Sequence, residues 1–202
     1  MIGGTGGVAP GKAAVIWICG LSGAGKSTVA EAALARLTEL DLSVLNLDGD
    51  VVREHLHTKL GFSRTDVLEN NRGIAGLCGR KSSNYDVILV PVISPLAEAR
   101  RDARALLGER YSLVYCDADI GKVRARDVKG LYARADRGEI TDMIGYSAGG
   151  LAFEVPGDAD LVLHTGDESL ASCADRLVAF VLERIDRVPG TPRQDQSANL
   201  KS

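Results

Sequence analysis

Apolar and polar positions fall into two kinds of block along this chain, and the two kinds predict strands and helices in turn. Five short runs are apolar on both faces, as expected of strands buried inside a parallel sheet, and cover residues 14–19, 43–47, 86–92, 111–116 and 160–164. Between them apolar residues recur at helical spacing, which predicts helices over 26–39, 50–58, 66–82, 95–107, 119–126 and 168–186. Strands that alternate with helices predict an α/β fold, with a five-stranded parallel sheet covered by helices on both faces.

Three stretches fall outside this alternation. The glycine-rich residues 1–12 predict a flexible N-terminal arm, and residues 189–202, which are mostly polar with two prolines, predict a flexible tail. A single domain over 13–188 remains between them. Within it, residues 127–156 are rich in charge and glycine and have weak periodicity, which is typical of a functional lid or a disordered loop. We place a mobile lid at about 127–147.

The junction between the first predicted strand and the first predicted helix carries a phosphate-binding pattern. Residues 20–28 (GLSGAGKST) fit G-x-x-x-x-G-K-[ST] and stand between a strand and a helix, as that motif requires. Glycines let successive N–H groups face one anion, and the helix N-terminus adds partial positive charge. Lys26 would reach the β- and γ-phosphates, and the Ser27 hydroxyl would lie on Mg²⁺. The residues predicted to bind a nucleoside triphosphate are Gly20, Ser22, Gly23, Ala24, Gly25, Lys26, Ser27 and Thr28.

Two carboxylates follow the second predicted strand. Asp48 and Asp50 should lie beside the phosphate loop, because ligands of open α/β sheets bind beyond the carboxyl ends of the strands. They suit Mg²⁺-bound water and the orientation of an attacking hydroxyl. Arg53, one helical turn after Asp50, could hold an acceptor anion. The alternative is that one acid only caps the helix that begins near residue 51.

The start of the predicted lid is basic. Its cations are Arg124, Arg126, Lys129, Arg134 and Arg137. Cations that close over a transferring phosphate stabilise its charge and exclude water. For Arg134 and Arg137 we favour an ordinary solvated surface, whereas the glycine and large apolar residues of 129–132 (KGLY) interrupt a solvated pattern.

Composition narrows the class of protein further. The chain has 202 residues and a net charge of −3, which argues against a surface that coats nucleic acid. Its four cysteines show no metal-binding spacing, and Cys19 and Cys116 end apolar runs, which predicts reduced core thiols. We see no signal peptide and no membrane-spanning run and therefore expect a cytoplasmic protein; a homodimer is compatible with the pattern. An N/T-K-x-D guanine motif and an L-S-G-G-Q-like segment are both missing, which excludes a GTPase and a transporter ATPase.

Several motifs together resemble one family, the adenylylsulfate (APS) kinases. Residues 20–28 are similar to that family's G-L-S-G-x-G-K-S-T, and residues 47–53 (LDGDVVR) to its L-D-G-D-x-V-R. Residues 60–63 (LGFS), followed by Asp66 and by Glu69-Asn70, resemble its L-G-F-S-x-x-D-R-x-E-N. Residues 93–95 (ISP), 126–132 (RDVKGLY) and 138–140 (GEI) match its remaining motifs. The resemblance covers about residues 13–165, in order and at the family's spacing.

The resemblance implies transfer of the ATP γ-phosphate to the ribose 3′-hydroxyl of APS, giving PAPS, with Mg²⁺. By position, Asp50 would orient or deprotonate that hydroxyl, and Lys26 would act with it in catalysis. Arg126 would join the ATP site, and Ser27 and Asp48 would form the metal site. The residues that the resemblance places at the acceptor are Asp48, Arg53, Phe62, Asn70, Ile93, Ser94, Lys129, Leu131 and Met143.

Departures from the family pattern concentrate at the acceptor. Val67 stands where the family usually has an arginine, Leu96 and Ala97 where it has an aromatic residue and an arginine, and Met143 where it has a phenylalanine. An arginine matched to a charged group is costly to lose, at about 1–3 kcal/mol or more. These changes favour a less anionic or differently shaped acceptor.

Three functions stay open at this point. APS is the acceptor that the resemblance favours most. The alternative within the same class is a sugar hydroxyl of another nucleotide or nucleotide-like metabolite, which the departures favour. A nucleotide-binding regulatory protein without turnover is the alternative from another class, and the retained Lys26, Ser27, Asp48 and Asp50 argue against it.

Overall fold

The chain forms a five-stranded, entirely parallel sheet, in agreement with the sequence pattern. A computed structural model describes residues 13–48, 52 and 60–185. The strands are β1 (Ala14–Cys19), β2 (Val44–Asn46), β3 (Val87–Pro91), β4 (Tyr111–Cys116) and β5 (Leu161–Leu163). Each lies within one or two residues of the predicted run, so the predicted fold class is confirmed.

The strand order β2-β3-β1-β4-β5 places β1 near the middle of the sheet. Ile16 of β1 aligns with Leu89 of β3 on one side and with Ser112 of β4 on the other. All six residues of β1 are buried. A central strand covered on both faces has no solvent-facing positions, which explains why its sequence is apolar throughout.

Six α-helices connect and cover the strands within the part of the chain that the structure describes. They are α1 (Lys26–Glu39), α2 (Arg64–Lys81), α3 (Ala97–Leu107), α4 (Ile120–Arg126), α5 (Leu131–Asp136) and α6 (Leu170–Ile185). A short 3₁₀ turn, Gly108–Arg110, leads into β4. The predicted helix over 50–58 lies outside the described residues except for Val52, which is helical and buried.

Local chemistry explains where two helices begin. Helix α2 starts two residues earlier than predicted, because Ser63 and Asp66 form a capping box in which each side chain accepts a backbone N–H of the other at 3.2 Å. The prediction that 127–156 has no clear structure was wrong at α5. The Asp127 carboxylate accepts the N–H groups of Tyr132 and Ala133, at 3.1 and 2.9 Å, and so satisfies the first turn of that helix.

Two hydrophobic layers enclose the sheet. On one face Ile16 and Ile18 pack with α1 and α6, through residues such as Leu37 and Leu177. On the other face Trp17 packs with α2 and α3, through residues such as Ile74. Alternate residues of β1 therefore belong to opposite layers, as the period of a strand requires.

The connections that leave the carboxyl ends of β1, β2 and β3 meet at one edge of the sheet. They carry the phosphate loop, Asp48 and the 92–96 corner, and all three line one cavity. The predicted arm 1–12 and tail 189–202 lie outside the described residues. Among the helices that the structure describes, none is long and apolar enough to cross a membrane.

Candidate active site

The phosphate loop turns directly out of β1 and into α1. Gly20 has φ 151°, and a Cβ there would lie 2.7 Å from the carbonyl oxygen of Cys116, which only glycine avoids. Gly25 has φ 82° and precedes Lys26, the first residue of α1. The N-terminus of this 14-residue helix therefore points at the space that the loop encloses, where its partial positive charge favours an anion.

Lys26 and Ser27 present a cation and a hydroxyl at the mouth of this loop. Lys26 is 9% exposed, and its Nζ donates to the carbonyl oxygen of Leu21 at 2.7 Å, across the loop. The Ser27 hydroxyl donates to Asp48 Oδ2 at 2.6 Å. The structure thus brings together a hydroxyl and a carboxylate oxygen from different segments, and hard oxygen donors of this kind suit Mg²⁺.

One cavity of about 930 Å³ extends from the phosphate loop to the far end of the site. The predicted site residues that line it at the loop end are Ser22, Gly23, Gly25, Lys26, Ser27, Thr28 and Asp48. At the far end they are Phe62, Asn70, Ile93, Ser94, Lys129, Leu131 and Met143. The volume lies at the upper end of the range for small-molecule sites, so the cavity has room for a large ligand.

Five other predicted site residues do not line the cavity or cannot be placed. Gly20 and the fully buried Ala24 belong to the phosphate loop but do not line the cavity. Arg126 lies beside the loop between β5 and α6, where its guanidinium donates to the carbonyl oxygens of Thr165 and Gly166 at 3.1 Å each. Asp50 and Arg53 lie outside the described residues.

Asn70 offers an unused hydrogen-bond acceptor at the far end of the cavity. Its side chain is 3% exposed, and its Oδ1 has no hydrogen-bond partner among the residues that the structure describes. A buried polar atom without a partner costs roughly 1–3 kcal/mol, so such atoms usually serve a ligand or water. Asn70 is therefore suited to accept a hydrogen bond from a bound molecule.

Apolar side chains form much of the remaining wall at that end. Val67, Leu96, Ala99 and Ile144 pack in one buried cluster, and Val67 and Ile144 also line the cavity. Among the described lining residues the only cations are Lys26 and Lys129. Val67 and Leu96 thus fill this region with hydrocarbon rather than with charge.

Met143 lines the cavity on the side of the predicted lid segment. It is 8% exposed and belongs to the hydrophobic layer that also contains Tyr132. Its flexible thioether can follow the shape of a ligand more readily than a rigid ring could.

The segment predicted to be a lid, residues 127–147, packs against the phosphate loop through Tyr132. Its ring is 2% exposed, and its hydroxyl donates to the carbonyl oxygen of Ser22 at 2.8 Å. Tyr146 meets the same ring edge-on, with 5.0 Å between the ring centroids. Burial, and secondarily the Asp127 carboxylate, raise the pKa of Tyr132 from 10.0 to about 12, so the phenol remains a hydrogen-bond donor at neutral pH.

Ion pairs support the outer surface of the lid. Arg124 pairs with Asp136 at 2.8 Å, and Asp136 also accepts a hydrogen bond from Tyr146. The Tyr146 hydrogen bond first, and then Arg124, lower the pKa of Asp136. Arg134 and Arg137 both pair with Glu139 and keep about half of their side-chain area exposed, which agrees with the surface interpretation of these two residues.

Sequence reasoning missed several residues that shape the site. Thr165 approaches the loop, since a Cβ added at Gly25 would lie 3.9 Å from Thr165 Cβ, and no motif marks this residue. Asn71 lines the far end of the cavity, and Arg100 and Glu154 form a hydrogen bond behind it. Their signal in the sequence is faint, because Arg100 is one of five charged residues in α3.

Comparison with known proteins indicates the same family as the motifs. The family model for adenylylsulphate kinase matches residues 12–164. The chain is 43% identical over 179 residues to an adenylyl-sulfate kinase of Paraburkholderia xenovorans, covering 89% of this chain and 98% of that protein. It is also 43% identical over 174 residues to one of Chloroflexus aurantiacus, covering 86% and 91% of the two chains.

A solved structure of similar shape exists as well. The Mycobacterium tuberculosis APS kinase, in complex with AMPPNP and APS, superposes with a TM-score of 0.78 at 36% identity and covers 86% of this chain and 99% of that one. The family model alone spans well over half of the chain. This chain therefore belongs to the adenylylsulphate kinase family and is an ATP-dependent kinase that phosphorylates a hydroxyl group.

Proposed function

We propose that this chain transfers the γ-phosphate of ATP to the 3′-hydroxyl of APS, giving PAPS. The observation that carries the proposal is the continuous cavity, which joins the phosphate loop to the far wall formed by Phe62, Asn70 and Ser94. Donor and acceptor can therefore meet inside one enclosure. The Mycobacterium tuberculosis relative binds AMPPNP together with APS, which supports the same arrangement here.

The donor end supplies charge and backbone donors for the triphosphate. The helix N-terminus and loop N–H groups would hold the phosphates, and Lys26 would follow the negative charge that moves to the β–γ bridge. Mg²⁺ would be held by the Ser27 hydroxyl and, directly or through water, by Asp48, and would neutralise phosphate charge. The 2.6 Å hydrogen bond between these two side chains supports a shared ion, because it already brings the two oxygen atoms close together.

The acceptor end supplies positioning. Phe62 would stack on the base, since every base offers a flat face, and Met143 would close the opposite side. Asn70 Oδ1 would accept a hydrogen bond from the base or ribose. Asp50 would orient or deprotonate the attacking hydroxyl, while Arg53 and Lys129 would hold acceptor phosphate.

A direct assay separates this function from its alternatives. The purified protein with ATP, Mg²⁺ and APS should release ADP and form PAPS, and mass spectrometry with ³¹P NMR would place the new phosphate on the 3′-oxygen. APS lacking the 3′-hydroxyl should not react. ADP release that does not depend on any acceptor, or a protein that binds ATP and transfers to none of a nucleotide panel, would contradict the proposal.

A second acceptor is favoured by one observation. The buried cluster of Val67, Leu96, Ala99 and Ile144 presents hydrocarbon to the acceptor end, which suits a less anionic nucleotide or nucleotide-like metabolite. Comparing kcat/KM for APS with that for other nucleotides decides between the two. APS at about 10⁴ M⁻¹s⁻¹ or above, with nothing better, supports APS, and a better substrate that lacks the sulfate supports the second acceptor.

A further inference from the structure

Arg100 is a buried cation whose partners are backbone carbonyls. The residue lies in α3 and is 4% exposed. Its Nη1 donates to the carbonyl oxygen of Ser94 at 2.8 Å, and its Nη2 donates to that of Glu154 at 2.7 Å. No carboxylate of the described residues lies within ion-pair distance. A buried guanidinium is costly unless its donors are used, so these two carbonyls fix the position of the Nη atoms, while the buried Nε has no hydrogen-bond partner among the described residues.

Glu154 joins the same corner through three contacts. Its N–H donates to the carbonyl oxygen of Pro95 at 2.8 Å, and its own carbonyl oxygen accepts from Arg100. Its side chain accepts the N–H of Ala97 at 2.6 Å. Ala97 begins α3, and the N-cap residue of that helix offers no side-chain acceptor, so Glu154 caps the helix from a distant segment.

These contacts join two walls of the cavity that are far apart in the sequence. Ser94 and Pro95 line one side, whereas Met143 and Ile144 line another. The segment between Met143 and Glu154 folds back on itself, since Gly145 N–H donates to the Leu151 carbonyl at 2.8 Å. The position of Glu154 therefore influences where Met143 and Ile144 lie.

Ser94 is held in a strained conformation at the centre of this network. Its φ of 44° is unusual for a residue with a side chain, and such strain persists only where surrounding contacts impose it. The Ser94 hydroxyl donates to Asn71 Oδ1 at 2.7 Å, and Asn71 Nδ2 donates to the Val67 carbonyl at 2.8 Å. The network thus runs from α2 through Ser94 and Arg100 to Glu154.

We propose that Arg100 is a positioning residue for the acceptor site. It does not line the cavity and acts through the carbonyl of Ser94 and that of Glu154. By holding these two segments together, it sets the distance between the Ser94 wall and the Met143 wall. The donor end has no hydrogen bond to Arg100 among the described residues, so acceptor binding should depend on Arg100 far more than ATP binding does. The kinetic test of this proposal depends on the proposed function.

Arg100→Met is the informative substitution, because it keeps an unbranched apolar stem and removes both donors. The KM of the acceptor should rise roughly tenfold to a hundredfold, as expected when a wall shifts by about an ångström, while the KM of ATP stays within about twofold. Arg100→Lys, which keeps the charge and one donor head, should give an intermediate KM for the acceptor.

Two further variants separate positioning from general destabilisation. Arg104→Met is the matched control, because Arg104 lies one turn along the same helix, over the Tyr111 ring and bonded to Asp160 at 3.3 Å. It should lower the Tm without a selective change in the KM of the acceptor. Glu154→Ala removes only the exposed carboxylate that caps α3 and should raise the KM of the acceptor less than Arg100→Met does, in the same direction.

Hydrogen exchange provides a readout that needs no acceptor. In Arg100→Met the N–H groups of Gly145 and Glu154 should exchange faster than in the wild type, while those of α1 keep their rates. If wild-type protein fails to phosphorylate APS, the proposed function fails and this exchange pattern still tests Arg100. Unchanged exchange at both amides, or equal rises in the KM of ATP and of the acceptor, would overturn the positioning role.

Discussion

Lys26 is the side chain whose removal should separate catalysis from folding most cleanly. It is the one lysine of the phosphate loop, and its Nζ is fixed by the Leu21 carbonyl at 2.7 Å. Lys26→Ala should lower kcat by roughly 10²–10³-fold or more, the range for losing one preorganised charge donor. Far-UV circular dichroism should remain that of the wild type. Phosphoryl transfer at near wild-type rates by this variant would contradict the assignment of the loop.

Asp50 should affect the chemical step, because its proposed partner is the acceptor hydroxyl. General-base or orienting groups typically contribute about 10²–10⁴-fold, so Asp50→Asn should lower kcat by that range with little change in ATP affinity. Steady-state kinetics combined with calorimetric titration of an ATP analogue would measure both quantities.

Asp48→Asn serves as the comparison for Asp50. Asp48 accepts the Ser27 hydroxyl at 2.6 Å, so its substitution should raise the Mg²⁺ concentration needed for activity. If Asp50→Asn instead weakens Mg-ATP binding as its main defect, Asp50 belongs to the metal site and the base must be another group.

At the scale of elements, the lid should change its exchange rates when both substrates bind. Helix α5 has only six residues, and its Tyr132 hydroxyl bonds to the phosphate loop at 2.8 Å. Short elements held by few contacts open readily, so amides of 127–147 should exchange quickly without ligands and slowly with both. Exchange that is equally slow under both conditions would exclude a moving lid.

Tyr132→Phe tests the contact itself. It keeps the buried ring and removes the one hydrogen bond to Ser22, which is worth about 1 kcal/mol. Lid amides should therefore exchange roughly fivefold faster without ligands, while those of α1 keep their rates. Tyr146→Phe is the comparison, because the Tyr146 hydroxyl bonds to Asp136 on the outer surface. Faster exchange in Tyr132→Phe alone would indicate that contact with the phosphate loop matters, whereas equal changes in both variants would indicate general loosening of the lid.

The strands and the long helices were predictable because continuous apolar runs indicate buried strands and apolar residues at helical spacing indicate helices. β1 and β4 match their predicted ranges, since all six residues of each strand are buried and only Ser112 interrupts these runs with a small polar side chain. Helix ends were less predictable. Ser63 and Asp66 cap α2 through side chains, and this signal is visible in the sequence only if the capping pair is sought specifically.

Some residues of the candidate site were predictable from the sequence and others were not. Phosphate-loop residues were predictable because the motif prescribes both the residue types and the turn they adopt. The link between Arg100 and Glu154 was not, because it joins residues 54 positions apart through backbone carbonyls, which leave no side-chain pattern. The unpartnered Oδ1 of Asn70 likewise depends on burial that only the fold creates.

At the scale of the whole molecule, the two hydrophobic layers bury all four cysteines as free thiols. Burial raises the pKa values of Cys19, Cys78 and Cys116 from 9.0 to about 12. Folding therefore favours the protonated thiol, whereas the unfolded chain ionises near pH 9. The stabilisation is complete below the unfolded pKa and is lost as pH rises towards the folded pKa.

This linkage predicts that the free energy of unfolding falls markedly at alkaline pH. A thiol with these two pKa values loses on the order of 1 kcal/mol of folding stability by pH 10, so the three together should lower the free energy of unfolding by a few kcal/mol between pH 7.5 and pH 10. Urea unfolding at the two pH values measures the loss. Other alkaline groups, such as Tyr111, whose pKa burial also raises, add to it.

Cys78→Ala isolates the contribution of one thiol, because Cys78 lies in α2 within the layer opposite α1 and does not line the cavity. The substitution should lower stability at pH 7.5 by removing buried volume, yet its loss of stability between pH 7.5 and pH 10 should be smaller than that of the wild type by on the order of 1 kcal/mol. Alkylation at pH 7.5 should label none of the four thiols in native protein and all four in urea. A pH dependence identical to that of the wild type would show that Cys78 ionises equally in the folded and unfolded chains, and the buried-thiol explanation would then be wrong.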